Sequence, residues 1–166
     1  MKKIALFADV QNIYYTVKDV YGGYFNYRAL WDQLSEDYQI VAADAYAIDR
    51  DDPKQKSFQQ TLRNIGFKVN LKPFIQRADG SAKGDWDVGI AVDMIDAVAN
   101  QNIDMLVLLS GDGDFDVLLK RIHNNAGVGT MVYGVQKLTA ASLIDAAAVF
   151  RPIDQGLLMV ASPNIL

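Results

Sequence analysis

The sequence predicts an α/β fold on a mainly parallel sheet, and three observations predict it. Short apolar runs alternate with amphipathic segments along the chain. The runs at residues 4–8 (IALFA) and 105–110 (MLVLLS) are apolar on both faces, as strands covered on both sides must be. Glycines and capping residues stand at the junctions between segments.

In order, residues 3–8 read as a first strand. Ile13, Val17 and Val20 then keep helical spacing until Gly22-Gly23. Asn26 caps a short second helix that buries Leu30 and Leu34, and residues 40–48 form the next strand. Asp52-Pro53 supplies a cap and a first-turn proline for a helix with the stripe Phe58, Leu62 and Ile65, stopped by Gly66. Phe67, Val69 and Leu71 alternate with polar residues, which suits a strand at the sheet edge. Residues 76–84 form a polar loop. A helix opens at Asp85 or Trp86 and runs to about Asn100, with Val88, Ala91, Val92 and Ile95 facing inward. After the strand at 105–110, Phe115, Leu118, Leu119 and Ile122 mark another helix. A strand at 128–133, a helix at 139–147 and a short strand near Val149 complete the pattern. One domain over residues 1–154 accounts for this, and residues 155–166 form an apolar tail that packs on the domain or on a partner.

The chain has 166 residues and no cysteine, which removes disulfides, thiolate zinc sites and cysteine nucleophiles. The start, MKKIALFADV, resembles a short signal peptide, but Asp9 and Asn12 interrupt it, so it reads as a strand. No apolar run approaches the ~20 residues of a membrane span, so a cytoplasmic protein with no membrane association is expected. The net charge is −4. Yet residues 50–83 hold eight basic side chains against three acidic ones, half of all Lys and Arg in about a fifth of the chain. This segment reads either as a solvated face or as a groove that follows phosphates.

In an open parallel sheet, ligands bind beyond the carboxyl ends of the strands. Asp9 leaves the first strand there, Asp112 and Asp114 leave the strand at 105–110, and Asp87 lies in the first turn of its helix. Each alone reads equally well as a helix cap. Together they form a rim of like charges that a cation would relieve, and an all-oxygen set favours Mg²⁺ or Mn²⁺ over zinc. Asp112, Asp114 and Asp116 have the even spacing of a calcium loop, but its sixth and twelfth positions hold Val117 and His123, not glycine and glutamate. No G-x-G-x-x-G follows the first strand and no G-K-[ST] occurs. His123, the single histidine, lies inside a helix away from the strand ends. Tyr14, Tyr15, Tyr24, Tyr27, Trp31 and Trp86 could stack bases, but most read as core or half-buried rings, and Trp86, between Asp85 and Asp87, is the one placed to line the site.

Three segments, ALFADVQNIYY, KGDWDVGIAVDMIDA and LVLLSGDGDFDVLLKRI, resemble in this order the hallmark segments of the NYN-domain family, particularly its bacterial LabA-like branch. The stretch from Ala141 to Phe150 is similar to the family's closing helix and strand. The resemblance implies a PIN-like three-layer sandwich with sheet order 3-2-1-4-5 and helices on both faces. It implies a Mg²⁺- or Mn²⁺-dependent ribonuclease acting on RNA, single-stranded RNA above all. Its metal ligands would be Asp9, Asp87, Asp112 and Asp114, with Asp116 and Asp85 as alternates and Asn12 orienting Asp9 or a water. Lys83 matches a lysine that could hold a phosphate, and Arg50, Lys54 and Trp86 join it as the expected RNA contacts. The K-G-D-W-D spacing is one residue longer than the common form, which makes Asp85 a rival to Asp87. Many relatives carry a second, nucleic-acid-associated domain; with none read here, target choice is expected to rest on this domain or on a partner. A regulatory RNA- or protein-binding module with little turnover is the alternative, and a homodimer stays open.

Overall fold

The computed structural model describes residues 1–73, 75–76, 82–83 and 85–159, the backbone alone at 75, 76, 82 and 83. Six strands form one sheet: β1 Lys2–Asp9, β2 Tyr38–Asp49, β3 Lys68–Pro73, β4 Met105–Leu109, β5 Gly129–Gly134 and β6 Val149–Pro152. Their order is β3-β2-β1-β4-β5-β6, and every pairing is parallel. The expected 3-2-1-4-5 order is present, and β6 extends it at the outer edge.

Six helices connect the strands: α1 Val10–Tyr21, α2 Tyr27–Asp37, α3 Pro53–Ile65, α4 Asp87–Asn100, α5 Asp116–Ala126 and α6 Ala141–Ala146. The chain first builds outward from β1 through β2 and β3, then restarts beside β1 with β4 and builds the other way. Right-handed crossovers in opposite directions put helices on opposite faces. Ile4, Leu6 and Ala8 accordingly pack with Ile13 and Val17 of α1, Leu30 and Leu34 of α2, and Phe58 and Leu62 of α3. Ala5 and Phe7 pack on the other side with Ile90 and Met94 of α4, Leu119 and Ile122 of α5, and Leu143 of α6. This makes three layers, with the order of growth reversing between β1 and β4.

Local chemistry accounts for the element ends. Asp9, Asn26 and Asp52 cap α1, α2 and α3 by accepting backbone N–H groups. Gly22 closes α1 at φ 73, a left-handed conformation in which a side chain would be strained. Leu158–Met159 pairs antiparallel with Tyr24–Phe25, Leu157 is buried, and the Asn26 N–H donates to the Leu157 carbonyl at 2.8 Å.

Two expectations need correction. The polar loop at 76–84 is not irregular throughout, because Ile75–Gln76 pairs antiparallel with Ala82–Lys83. The inward face of α4 is also not the one expected: Ile90, Met94 and Ala97 are buried, while Val88, Val92 and Ile95 are exposed. The helix carries apolar residues around most of its girth, so two stripes compete. The Tyr46 hydroxyl, which donates to Asp93 Oδ2 at 2.8 Å, and Trp86, packed on Tyr46, fix the rotation that is observed.

Candidate active site

Strand order reverses between β1 and β4, the place where open parallel sheets bind ligands beyond the carboxyl ends of their strands, and the acidic residues gather there. Asp9 ends β1 with its side chain buried. Its Oδ1 accepts the Asn12 backbone N–H at 3.3 Å, and its Oδ2 accepts the Ser110 hydroxyl at 3.2 Å. The Ser110 oxygen in turn accepts the Asp112 N–H at 3.1 Å, and Asp112 Oδ1 accepts the Asp114 N–H at 2.9 Å. The side-chain oxygen of Asn12 accepts the Gly111 N–H at 2.9 Å. Asn12 thus fastens the turn after β4 to the turn after β1, with its backbone N–H on Asp9 and its amide oxygen on Gly111.

Asp87 enters from the first turn of α4. Trp86, just before it, donates its indole N–H to the Ala47 carbonyl at 2.8 Å and meets the Tyr46 ring edge-on at 5.3 Å. The Lys72 ammonium lies 4.6 Å from the Trp86 ring centroid, and its N–H donates to the Asp85 carbonyl at 3.1 Å. These contacts set the start of α4 against β2 and β3 and hold Asp87 toward Asp112.

Carboxylate oxygens of Asp87, Asp112 and Asp114 lie within 4.8 Å of one another. Among the described residues, Asp9 stands behind this group. It joins the group through Ser110 and through its charge, which reaches both Asp87 and Asp112. Burial pushes the Asp9 carboxyl up to about 6, against the lowering effect of its two hydrogen bonds, and the charges of Asp112 and Asp85 push the same way. Asp87 is pushed up to about 7, by burial first, then by a hydrogen bond shared with Asp112 and by the charges of Asp112, Asp85 and Asp9. The donor set suits a hard divalent cation: three carboxylates lie at coordination range, and burial and mutual repulsion raise the Asp87 carboxyl in a way that a bound cation would oppose. Asp85 is exposed and acts through its charge from outside the group. Asp116 opens α5 with its carboxylate on the Val117 N–H at 2.6 Å, also outside the group.

A family model described as "NYN domain" matches residues 3–154. The chain belongs to the NYN-domain family. NYN domains are PIN-like nucleases that act on RNA, and such nucleases usually use divalent metals. The low amplitude and bright protein LabA of Synechococcus elongatus is 29% identical over an alignment of 122 positions that covers 69% of this chain and 64% of LabA. This NYN chain therefore aligns with less than two thirds of that relative's length. A crystal structure of a Vibrio parahaemolyticus protein of unknown function is 47% identical, with a TM-score of 0.88 over 95% of this chain and 96% of the other. No helix among the described residues is long and apolar enough to cross a membrane.

Of the expected RNA contacts of this NYN domain, Arg50 and Lys54 follow the carboxyl end of β2 and are exposed where it passes into α3. The Lys83 side chain lies outside the described residues. The indole of Trp86 is engaged by Ala47, Tyr46 and Lys72, a structural use that competes with base stacking. Ser110 reads from the sequence only as the end of the 105–110 run, yet it is fully buried and bonds to both Asp9 and Asp112. Its place in the family-like segment LVLLSGDGDFDVLLKRI is the one signal of its importance in the sequence.

Proposed function

We propose that this NYN domain is a metal-dependent endoribonuclease that hydrolyses phosphodiester bonds of single-stranded RNA. The observation that carries the reading is the convergence of Asp87 with Asp112 and Asp114, from two separate places in the chain, to within 4.8 Å of one another. These three side chains would hold Mg²⁺ or Mn²⁺. The ion, when bound, supplies Lewis acidity toward the phosphodiester and lowers the pKa of an attacking water. Asp9, fixed by Asn12 and Ser110, keeps the acids in register and adds negative charge that favours a cation. Arg50 and Lys54, with Lys83 ahead of α4, would hold the RNA backbone electrostatically, so that the strand reaches an acidic rim that alone would repel it.

The experiment is cleavage of labelled single-stranded RNA by purified protein with Mn²⁺ and with EDTA. Wild-type protein is expected to cut internally with Mn²⁺ only, and Asp112→Asn to lose about a hundredfold or more of the rate. Equal cleavage by wild type and Asp112→Asn, or undiminished cleavage in EDTA, would remove the reading.

A further inference from the structure

On the side of β1 that carries α1 and α3, a cavity of about 240 Å³ opens at the same strand-end rim. Gln11, Tyr14 and Tyr15 line it from α1, and Arg50, Gln55 and Gln59 from the β2–α3 side. Its one acidic residue, Asp52, is occupied as the cap of α3, accepting the Lys54 N–H. The walls thus combine aromatic rings, carboxamides and apolar side chains with Arg50, unlike the aspartate rim next to them. Tyr15 is 56% exposed and meets Tyr14 edge-on at 5.1 Å, which leaves a tyrosine face open. The Oε1 atom of Gln55 is buried with no hydrogen-bond partner among the described residues. Unpaired buried acceptors are rare and costly, so this oxygen calls for an N–H from an occupant of the cavity.

We propose that the cavity holds a nucleobase of the RNA strand whose neighbouring phosphate lies at the aspartates, an inference that rests on the nuclease reading. The base stacks on Tyr15 and, as the Gln55 side chain turns out from its buried position, donates an N–H from its pairing edge to Gln55 Oε1, while Arg50 at the cavity holds the backbone electrostatically. Every ribonucleobase has a π-face and an N–H on that edge, so the site grips a base without demanding one sequence. The volume is below the about 300–1,000 Å³ of pockets for drug-sized ligands, which suits a single ring system. Placement supports the pairing of the two sites. Gln11 follows Asp9 by two residues, so their α-carbons lie within about 7.6 Å, and both sites share the end of β1.

The test titrates labelled oligoadenylate, and an abasic strand of equal length and charge, into the Asp112→Asn protein with Mn²⁺. The abasic strand is expected to bind about tenfold or more weakly. Gln55→Leu and Tyr15→Ala, each added to Asp112→Asn, should bring oligoadenylate down to the abasic level and leave abasic binding unchanged. Gln55→Leu removes the unpaired acceptor, so its melting temperature should hold or rise, and Tyr15 is exposed enough for alanine to leave the fold intact. Equal affinity for both strands, no binding of either, or undiminished oligoadenylate binding by both variants overturns the proposal. Cleavage by protein with native Asp112 is scored separately. Base-dependent binding without cleavage keeps the cavity and removes the nuclease, and cleavage without base dependence does the reverse.

Discussion

Ser110 shows how much a single hydroxyl can coordinate. It donates to Asp9 Oδ2 and accepts from the Asp112 N–H, so one atom sets the spacing of two acids that leave different strands. Ser110→Ala would leave a buried carboxylate oxygen and a backbone N–H without this partner. The expected cost is about 1–3 kcal/mol of stability, with a loss of about 10–100-fold in metal affinity or cleavage. Thermal melting against Mn²⁺ concentration measures both, and a wild-type response from Ser110→Ala would show that the bonds are incidental. The aspartates themselves were legible because carboxylates directly after strands point to a rim. The serine was not, since its meaning depends on Asp9, 101 residues away.

Helix α4 carries Asp87, and its placement depends on a close approach at Gly89. A Cβ at that position would lie 2.6 Å from Cε3 of Trp86, whose ring is already fixed by Ala47 and Tyr46. Helix propensity alone would make alanine there favourable by about 0.8–1.0 kcal/mol. The crowding reverses the sign, and Gly89→Ala should destabilise by about 1–3 kcal/mol and weaken metal binding as the start of α4 shifts. A denaturant midpoint equal to or above wild type would contradict this. The existence of α4 and its end at Asn100 could be read from the sequence, as could every strand of the main sheet, because apolar runs and caps are local signals. Its inward face could not. Val88, Val92 and Ile95 keep helical spacing as well as Ile90, Met94 and Ala97 do, and contacts with Tyr46 on β2 decide between them.

The acids also set how the whole molecule responds to pH. Asp9 and Asp87 would ionise near 3.8 in the unfolded chain, but retain protons to about 6 and about 7 in the fold. Between those values the native state binds more protons than the unfolded one, so stability falls as pH rises and levels off above about 7. Metal-free protein is therefore expected to melt lower at about pH 8 than at about pH 5, with a shallower decline for Asp112→Asn. Mg²⁺ or Mn²⁺ should oppose the trend, adding about 2.7 kcal/mol at a hundredfold excess over its dissociation constant. Melting curves in EDTA and in Mn²⁺ across this range provide the measurement. A pH slope that metal leaves unchanged would mean that these carboxylates do not bind the ion.

The central position of β1 has a consequence for how the chain is made. Of the strands in this sheet β1 is synthesised before the others and can pair with β2 soon afterwards, but its other edge needs β4, where Ile4 meets Met105 and Ala8 meets Leu109. At about 5–20 residues per second, synthesis keeps that edge waiting for roughly 5–20 s. Throughout that interval the apolar IALFA strand presents an open edge, the feature that invites pairing between chains. The same connection that brings Asp9 to Asp112 makes the half-synthesised chain its most aggregation-prone form. Folding yield should therefore respond to translation rate and to chaperones that hold the nascent chain before β4 emerges.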